Sequence, residues 1–249
     1  MRLRLRIAYD GGPFCGWQSQ SGGGSVQDHL ATALTRIAGH RVIVHGAGRT
    51  DAGVHALAQV AHADVPGGRT TATWLAALNG NLPAQIRVRS VLRAAPDFHA
   101  RYSATGKLYR YRLCTDPVLP PHEIGRAWHL PSLVDRSLLA DAAARLLGRH
   151  DFRKFSANRG TPVADTRRTL HRISTRRRNG ILEIDFEGDG FLYKMVRLLT
   201  GTLIRIATAK APVQRINDLL AGHGQAGPAS PAHGLWLIRV HYGRQPPGK

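Results

Sequence analysis

Leu3, Leu5, Ile7 and Tyr9 alternate with Arg2, Arg4 and Arg6 at the start of the chain. Only an extended strand sends successive side chains to opposite faces, so this pattern demands a sheet with one buried face and one basic face. Charges inside the run also rule out the apolar core of a signal peptide. A second strand pattern covers Lys107 to Cys114, with Tyr109, Tyr111 and Leu113 on one face and Leu108, Arg110 and Arg112 on the other. Asn179-Gly180, between Arg172–Arg178 and Ile181–Glu187, is a two-residue hairpin signal. Further strands are expected at Arg41–His45, Ala58–Ala63, Ile86–Leu92 (Ile86, Val88 and Ser90 on its apolar side) and Leu235–Tyr242.

Helical periodicity lies between these runs. Ser25, with Asp28 three residues on, forms a capping box ahead of Val26, Leu30, Ala33, Leu34 and Ile37, and Gly39 stops the helix. Helices are also expected at Thr71–Asn79, Asp135–Leu147, Phe191–Thr208 and Val213–Leu220, the last opened by Pro212. The expected fold is α+β: two α/β lobes with a largely antiparallel mixed sheet. Residues 1–103 would form the first lobe, 104–243 the second and 244–249 a disordered tail.

Charge narrows the function. Thirty-five basic residues, only five of them lysine, face 16 acidic ones, for a formal net charge of +19. Such an excess weakens folding by self-repulsion unless a polyanion neutralises it. Arginine forks onto phosphates and stacks on bases, so nucleic acid is the natural partner. Residues 149–178 hold ten Arg or Lys against two Asp and include the loop Ser156–Asp165, which reads as a basic RNA-contacting flap. No apolar run reaches the roughly 18 residues of a membrane span, and no basic amphipathic helix supports a membrane surface. Cys15 and Cys114 lack metal spacing, and a cytosolic, disulfide-free protein is the default.

Within this cationic chain, Gly48-Arg49-Thr50-Asp51-Ala52-Gly53-Val54-His55 frames one carboxylate with small residues. Gly48 and Gly53 permit positive φ and close approach. An aspartate so placed can be a nucleophile, a general base or a turn former. No second carboxylate or paired histidine lies at ligand spacing to make it a metal ligand.

The octapeptide resembles the catalytic loop of the tRNA pseudouridine synthases of the TruA family. The resemblance runs through Tyr9–Gln18, Ser25–Gln27, Asn79–Pro83, Phe98–Arg101, Tyr109–Tyr111, Phe191–Gly201 and Gly234–Tyr242, in order along nearly the whole chain. It implies that Asp51 is the nucleophile, Arg197 its ion partner and Arg49 the residue that helps extrude the target nucleotide. Tyr109 would stack on the base, Leu235 would pack the pocket, and Arg110 would join Tyr109 in binding substrate. Each has a plainer reading: a solvent-facing helix residue for Arg197, a phosphate contact for Arg49, core for Tyr109 and Leu235. Trp17 reads equally as a base-stacking or a buried ring.

The implied fold is two RRM-like or ferredoxin-like α/β lobes with the active-site cleft between them, and the implied activity is isomerisation of uridine to pseudouridine at positions 38–40 of tRNA, in the anticodon stem-loop, by a cytoplasmic homodimer. No metal or nucleotide cofactor is expected, since the sequence has no P-loop, no G-x-G-x-x-G after a strand and no zinc spacing. A non-catalytic RNA-binding protein or RNA chaperone would match the charge but gives no reason for Asp51. A uridine glycosylase would need a second acid/base carboxylate near the motif.

Overall fold

A computed structural model describes residues 1–158, 160 and 163–243. The chain divides into two compact units, Met1–Thr105 with the closing strand from Trp236, and Gly106–Leu235. The first unit contributes β1 (Arg2–Tyr9), α1 (Val26–Ala38), β2 (His45–Gly46), β3 (His55–Asp64), α2 (Thr71–Asn81) and β4 (Ile86–Arg93). Then come β5 (Ala104–Cys114), β6 (Trp128–His129), α3 (Arg136–Ala144), β7 (Gly148–Asp151), β8 (Arg167–Arg178), β9 (Ile181–Gly188), α4 (Met195–Ala207) and α5 (Arg215–Leu220). The last strand, β10 (Leu235–Tyr242), counts with the first unit from Trp236 onward, where the sequence placed it in the second lobe. The fold class is α+β, with largely antiparallel strands, as expected.

In the first unit β1 lies between β4 and β3, antiparallel to both, and β10 runs parallel to β3. Leu3, Leu5 and Ile7 are fully buried. Burying such a side chain is worth about 1.5–3 kcal/mol each, so the alternating strand contributes heavily to this core. Ser25 and Asp28 form the reciprocal capping box, and Gly39 closes α1 at φ 78°. Helix α2 buries Trp74 and Leu78 and packs on β4. It runs two residues past its expected end, and Asn79 ties it to β4 by exchanging hydrogen bonds with the Val88 backbone.

Two expectations fail here for local reasons. Arg41–Val44 is not a strand; only His45–Gly46 pairs, with β3. Thr35 Oγ1 accepts from Val42 N–H and Gln27 Nε2 donates to the Val44 carbonyl, so side chains of α1 take bonds that a sheet neighbour would have made. In β4 the ladder with β1 skips Arg89, pairing Leu5 with Val91 and Ile7 with Val88. This bulge puts Val91 in the core and leaves Ser90 on the other face.

In the second unit β5, β9, β8 and β7 follow one another, each antiparallel to the next. Tyr111 and Leu113 are fully buried and Tyr109 nearly so. Asn179 (φ 48°) and Gly180 (φ 76°) make the expected tight turn between β8 and β9. Helix α3 has Asp135 as its N-cap and ends three residues short of Leu147. Helix α4 begins at Met195, four residues late, because Lys194 takes a left-handed φ of 58°. Its buried side includes Met195, Val196, Leu199, Leu203 and Ile206. Helix α5 likewise starts two residues late, at Arg215. The basic loop Ser156–Asp165 lies partly, and the tail 244–249 wholly, outside the described residues. Among those residues no helix is long and apolar enough to cross a membrane.

Candidate active site

The Asp51 loop leaves β2 and enters β3, and its neighbours in the first unit hold it at several points. Tyr9 Oη and Thr50 Oγ1 share a buried hydrogen bond of 2.8 Å. Burial pushes the Tyr9 phenol up to about 12, so it serves there as a neutral hydrogen-bonding group. Trp17 N–H donates to the Thr50 carbonyl at 3.0 Å, and Gln59 Nε2 donates to the Gly48 carbonyl at 2.9 Å. Both peptides flanking Arg49 and Thr50 are therefore pinned, and Asp51 follows directly.

The far end of the loop is closed as firmly. Val54 N–H donates to the Asp51 carbonyl, and Gly53 takes φ 79°, completing a turn. Gly48 keeps an ordinary backbone. A Cβ on Gly11 would sit 2.0 Å from the Val54 carbonyl oxygen, so only glycine lets the Asp10-Gly11 turn close on the loop. Gly11 N–H donates to Nδ1 of the buried His55, whose ring stacks on Trp236 at 4.2 Å. Thr50 and Val54 are buried, Asp51 is half-buried, and Arg49 is exposed. Arg49 has no hydrogen bond or ion pair among the described residues. Trp17 is buried, with Gly46 against its ring, which settles it as a core residue.

The remaining candidates lie in the second unit. Tyr109 is 7% exposed and meets Phe191 edge-on at 5.1 Å. Arg197, half-buried in the first turn of α4, donates from Nε to the Ser230 carbonyl at 2.8 Å. Ser230 returns two bonds, from its backbone N–H and its hydroxyl, to the Arg197 carbonyl. The guanidinium is thus oriented by a backbone strap. Leu235 is buried beside Gly234, which packs against the Tyr111 ring. Arg110 forks onto Asp185 at 2.7 and 2.9 Å, with Glu183 at 3.4 Å. Its hydrogen bond to Asp185 raises its already high pKa further. This arginine sits in a strand-to-strand ion pair, a structural use the sequence reading did not foresee.

The residues that brace the loop, Tyr9, Gly11, Gln59 and His55, carry no role in the sequence reading. One signal was available: Gln59 is a fully buried polar side chain inside the apolar run Ala56–Ala63. Ser230, which orients Arg197, had no signal in its Gly/Pro/Ala loop.

Comparisons with known proteins give the family of the chain. A family described as tRNA pseudouridine synthase matches residues 6–103 and 142–243. The chain is 43% identical to tRNA pseudouridine synthase A of Akkermansia muciniphila, over 97% of this chain and 95% of that one. It is 46% identical to tRNA pseudouridine synthase A of Solidesulfovibrio magneticus, over 97% and 91% of the two chains. The enzyme of the same name from Geobacillus kaustophilus is 42% identical over 97% and 94%.

Proposed function

The chain belongs to the tRNA pseudouridine synthase family and is an isomerase of that class, and we infer that Asp51 is its nucleophile and that its targets are uridines 38–40 in the anticodon stem-loop of tRNA. The observation that carries the assignment of Asp51 is the bracing of its loop: a carboxylate held between pinned peptides, two residues from an exposed arginine, where the chain enters the interior strand β3. Reactive groups gain from being fixed before substrate arrives, since orientation then costs nothing at the moment of reaction.

The residues divide the work. Arg49, exposed and with no ion pair among the described residues, meets the RNA and helps turn the uridine out of its stack. Taking a base out costs a few kcal/mol, and stacking it on an aromatic ring returns about 1–3 kcal/mol. Tyr109 supplies that ring, backed edge-on by Phe191. Arg197, aimed by Ser230, balances the charge of Asp51, and Leu235 packs the apolar side of the base. Arg110 orders the strand that carries Tyr109 through its pair with Asp185. An Asp51 carboxylate oxygen bonds to C6 of the base or C1′ of the sugar, and the N1–C1′ bond breaks. Uracil turns, C5 bonds to C1′, the C5 proton leaves to solvent and N1 takes up a proton. On the C1′ route Asp51 is displaced as C5 bonds to C1′, and on the C6 route it leaves C6 as the C5 proton departs, so the carboxylate is regenerated either way. Atoms balance without an oxidant or a water consumed. The chain works on tRNA as a cytoplasmic homodimer in this reading, which light scattering of the purified protein tests as twice the monomer mass.

The deciding assay uses tRNA carrying tritium at C5 of uridine. Pseudouridine formation releases the label and leaves the RNA intact, whereas a binder releases nothing and a glycosylase leaves abasic sites. Asp51→Asn is expected to bind tRNA and release no label. Substantial turnover by that variant removes the nucleophile assignment, and mapping the altered uridines outside 38–40 removes the site assignment.

A further inference from the structure

The open face of the first unit's sheet carries a basic groove that no part of the reaction uses. The side chains of β1 that point away from Leu3, Leu5 and Ile7 include Arg4 and Arg6. Across the ladders, Arg4 pairs with Leu92 and Arg6 with Ser90 and Val60. With Arg239 and Val240 of β10 these residues line a groove of about 220 Å³, and no carboxylate and no residue of the Asp51 loop lines it. A neighbouring groove of about 320 Å³ shares Arg4 and Leu92 and adds Phe98, Arg93 and Asp97.

Three features point to an anionic polymer. First, Arg4, Arg6 and Arg239 have no ion pair among the described residues, although like charges in one groove repel unless an anion enters. Second, Arg4 is held in place: its guanidinium lies 4.4 Å from the Tyr242 ring centre and 5.4 Å from that of Phe98. A guanidinium stacked on rings keeps its N–H edge for a phosphate and loses little freedom when one binds. Third, the floor is apolar, with Leu92 54% exposed. A free inorganic ion has no use for such a floor, whereas the sugars of a phosphodiester chain do.

We propose that this groove is a second contact for the RNA substrate, with Arg4, Arg6 and Arg239 on backbone phosphates and Leu92 against the riboses. The proposal rests on the tRNA reading above and adds a place that holds the substrate apart from the reacting uridine. Contacts to phosphate position an RNA without reading its sequence, so the groove serves affinity and register.

The test is equilibrium binding of fluorescently labelled tRNA by anisotropy, in the Asp51→Asn background, across a salt series. Arg6→Gln/Arg239→Gln is expected to raise Kd at least tenfold near 0.1 M salt. It should also flatten the slope of log Kd against log salt by about 1.4–1.8, as loss of two phosphate contacts requires. Arg6→Lys/Arg239→Lys should restore most of the slope, and melting curves confirm that both variants fold. Unchanged affinity and slope overturn the proposal. So does an equal loss in the charge-matched control Arg36→Gln/Arg41→Gln, which would mean diffuse attraction. Loss of binding to poly-glutamate with tRNA affinity intact reassigns the groove to an acidic protein and also overturns it. A wild-type chain that binds tRNA but makes no pseudouridine would defeat the catalytic reading and leave this one standing.

Discussion

Several strand arginines of the two units are used in opposite ways, although Arg2 of β1 does pair with Asp64. In the second unit Arg110 forks onto Asp185, Arg112 onto Glu123, and Arg172 and Arg176 pair with Glu187 and Glu183. In the first unit Arg4, Arg6 and Arg239 share a groove with no carboxylate on its walls. The first set neutralises itself across β5, β9 and β8, and the second leaves its charge outward. The net charge of +19 is therefore not a uniform coat. Arginine count alone does not locate the RNA surface; the distribution of acids decides which arginines remain open to a ligand.

Breaking a closed pair should cost the most. Arg110→Met leaves Asp185 and Glu183, both largely buried, without that cation. The expected loss is about 2–3 kcal/mol, below the figure for a fully buried pair because water still reaches this one, and urea denaturation measures it. A loss under about 0.5 kcal/mol would place Arg110 with the open set and favour a direct contact to substrate.

A pH titration sharpens the same contrast with histidines. His62 is buried, stacked on His45 at 4.9 Å and edge-on to His99 at 4.6 Å, and its Nδ1 accepts from Ala100 N–H. Burial first, then His45, His99 and Arg2, push its pKa down to about 4, with Asp64 opposing. The unfolded chain takes up this proton near pH 6.5, the folded one only near 4. The contribution is thus intact above about pH 6.5 and is lost progressively as pH falls toward about 4, by up to about 3 kcal/mol. Denaturation midpoints of wild type and His62→Gln should converge on acidification; parallel curves would contradict the cluster.

A smaller effect is expected at the loop. Tyr9→Phe removes one buried hydrogen bond, worth about 1 kcal/mol, and should lower kcat more than it raises KM by loosening the peptide before Asp51. Thr50→Val should reproduce it, and the double variant should lose little more, since both delete the same bond. The least stability change belongs to the open set. Arg49→Met should alter stability by less than about 0.5 kcal/mol while lowering turnover on tRNA.

Much of this could be read from the residues in order. The alternation in β1, the capping box of α1 and the Asn179-Gly180 turn are decided within a few residues, and each formed as expected. The two misread strand segments share a cause: the deciding partner is distant or is a side chain. Arg41–Val44 has strand-like residues, but Thr35 and Gln27 satisfy its backbone. The β4 bulge is set by its ladder with β1, about 80 residues earlier in the chain. The site divides in the same way. Asp51 and its motif are local and stood out, whereas Tyr9 meets Thr50 across 41 positions, and Ser230 meets Arg197 across 33.

The brace around Asp51 also bears on how portable this chemistry is. The octapeptide Gly48–His55 is continuous, yet what immobilises it comes from Tyr9, Gly11 and Trp17 on one side and Gln59 on the other. Grafted alone onto another hairpin, the motif would carry its carboxylate without its rigidity. The smallest transplantable cassette is two pieces, residues 9–17 and 48–59, on adjacent strands in this register. Drift in either piece is therefore constrained by the other, and a recombination junction between them separates parts that function only together.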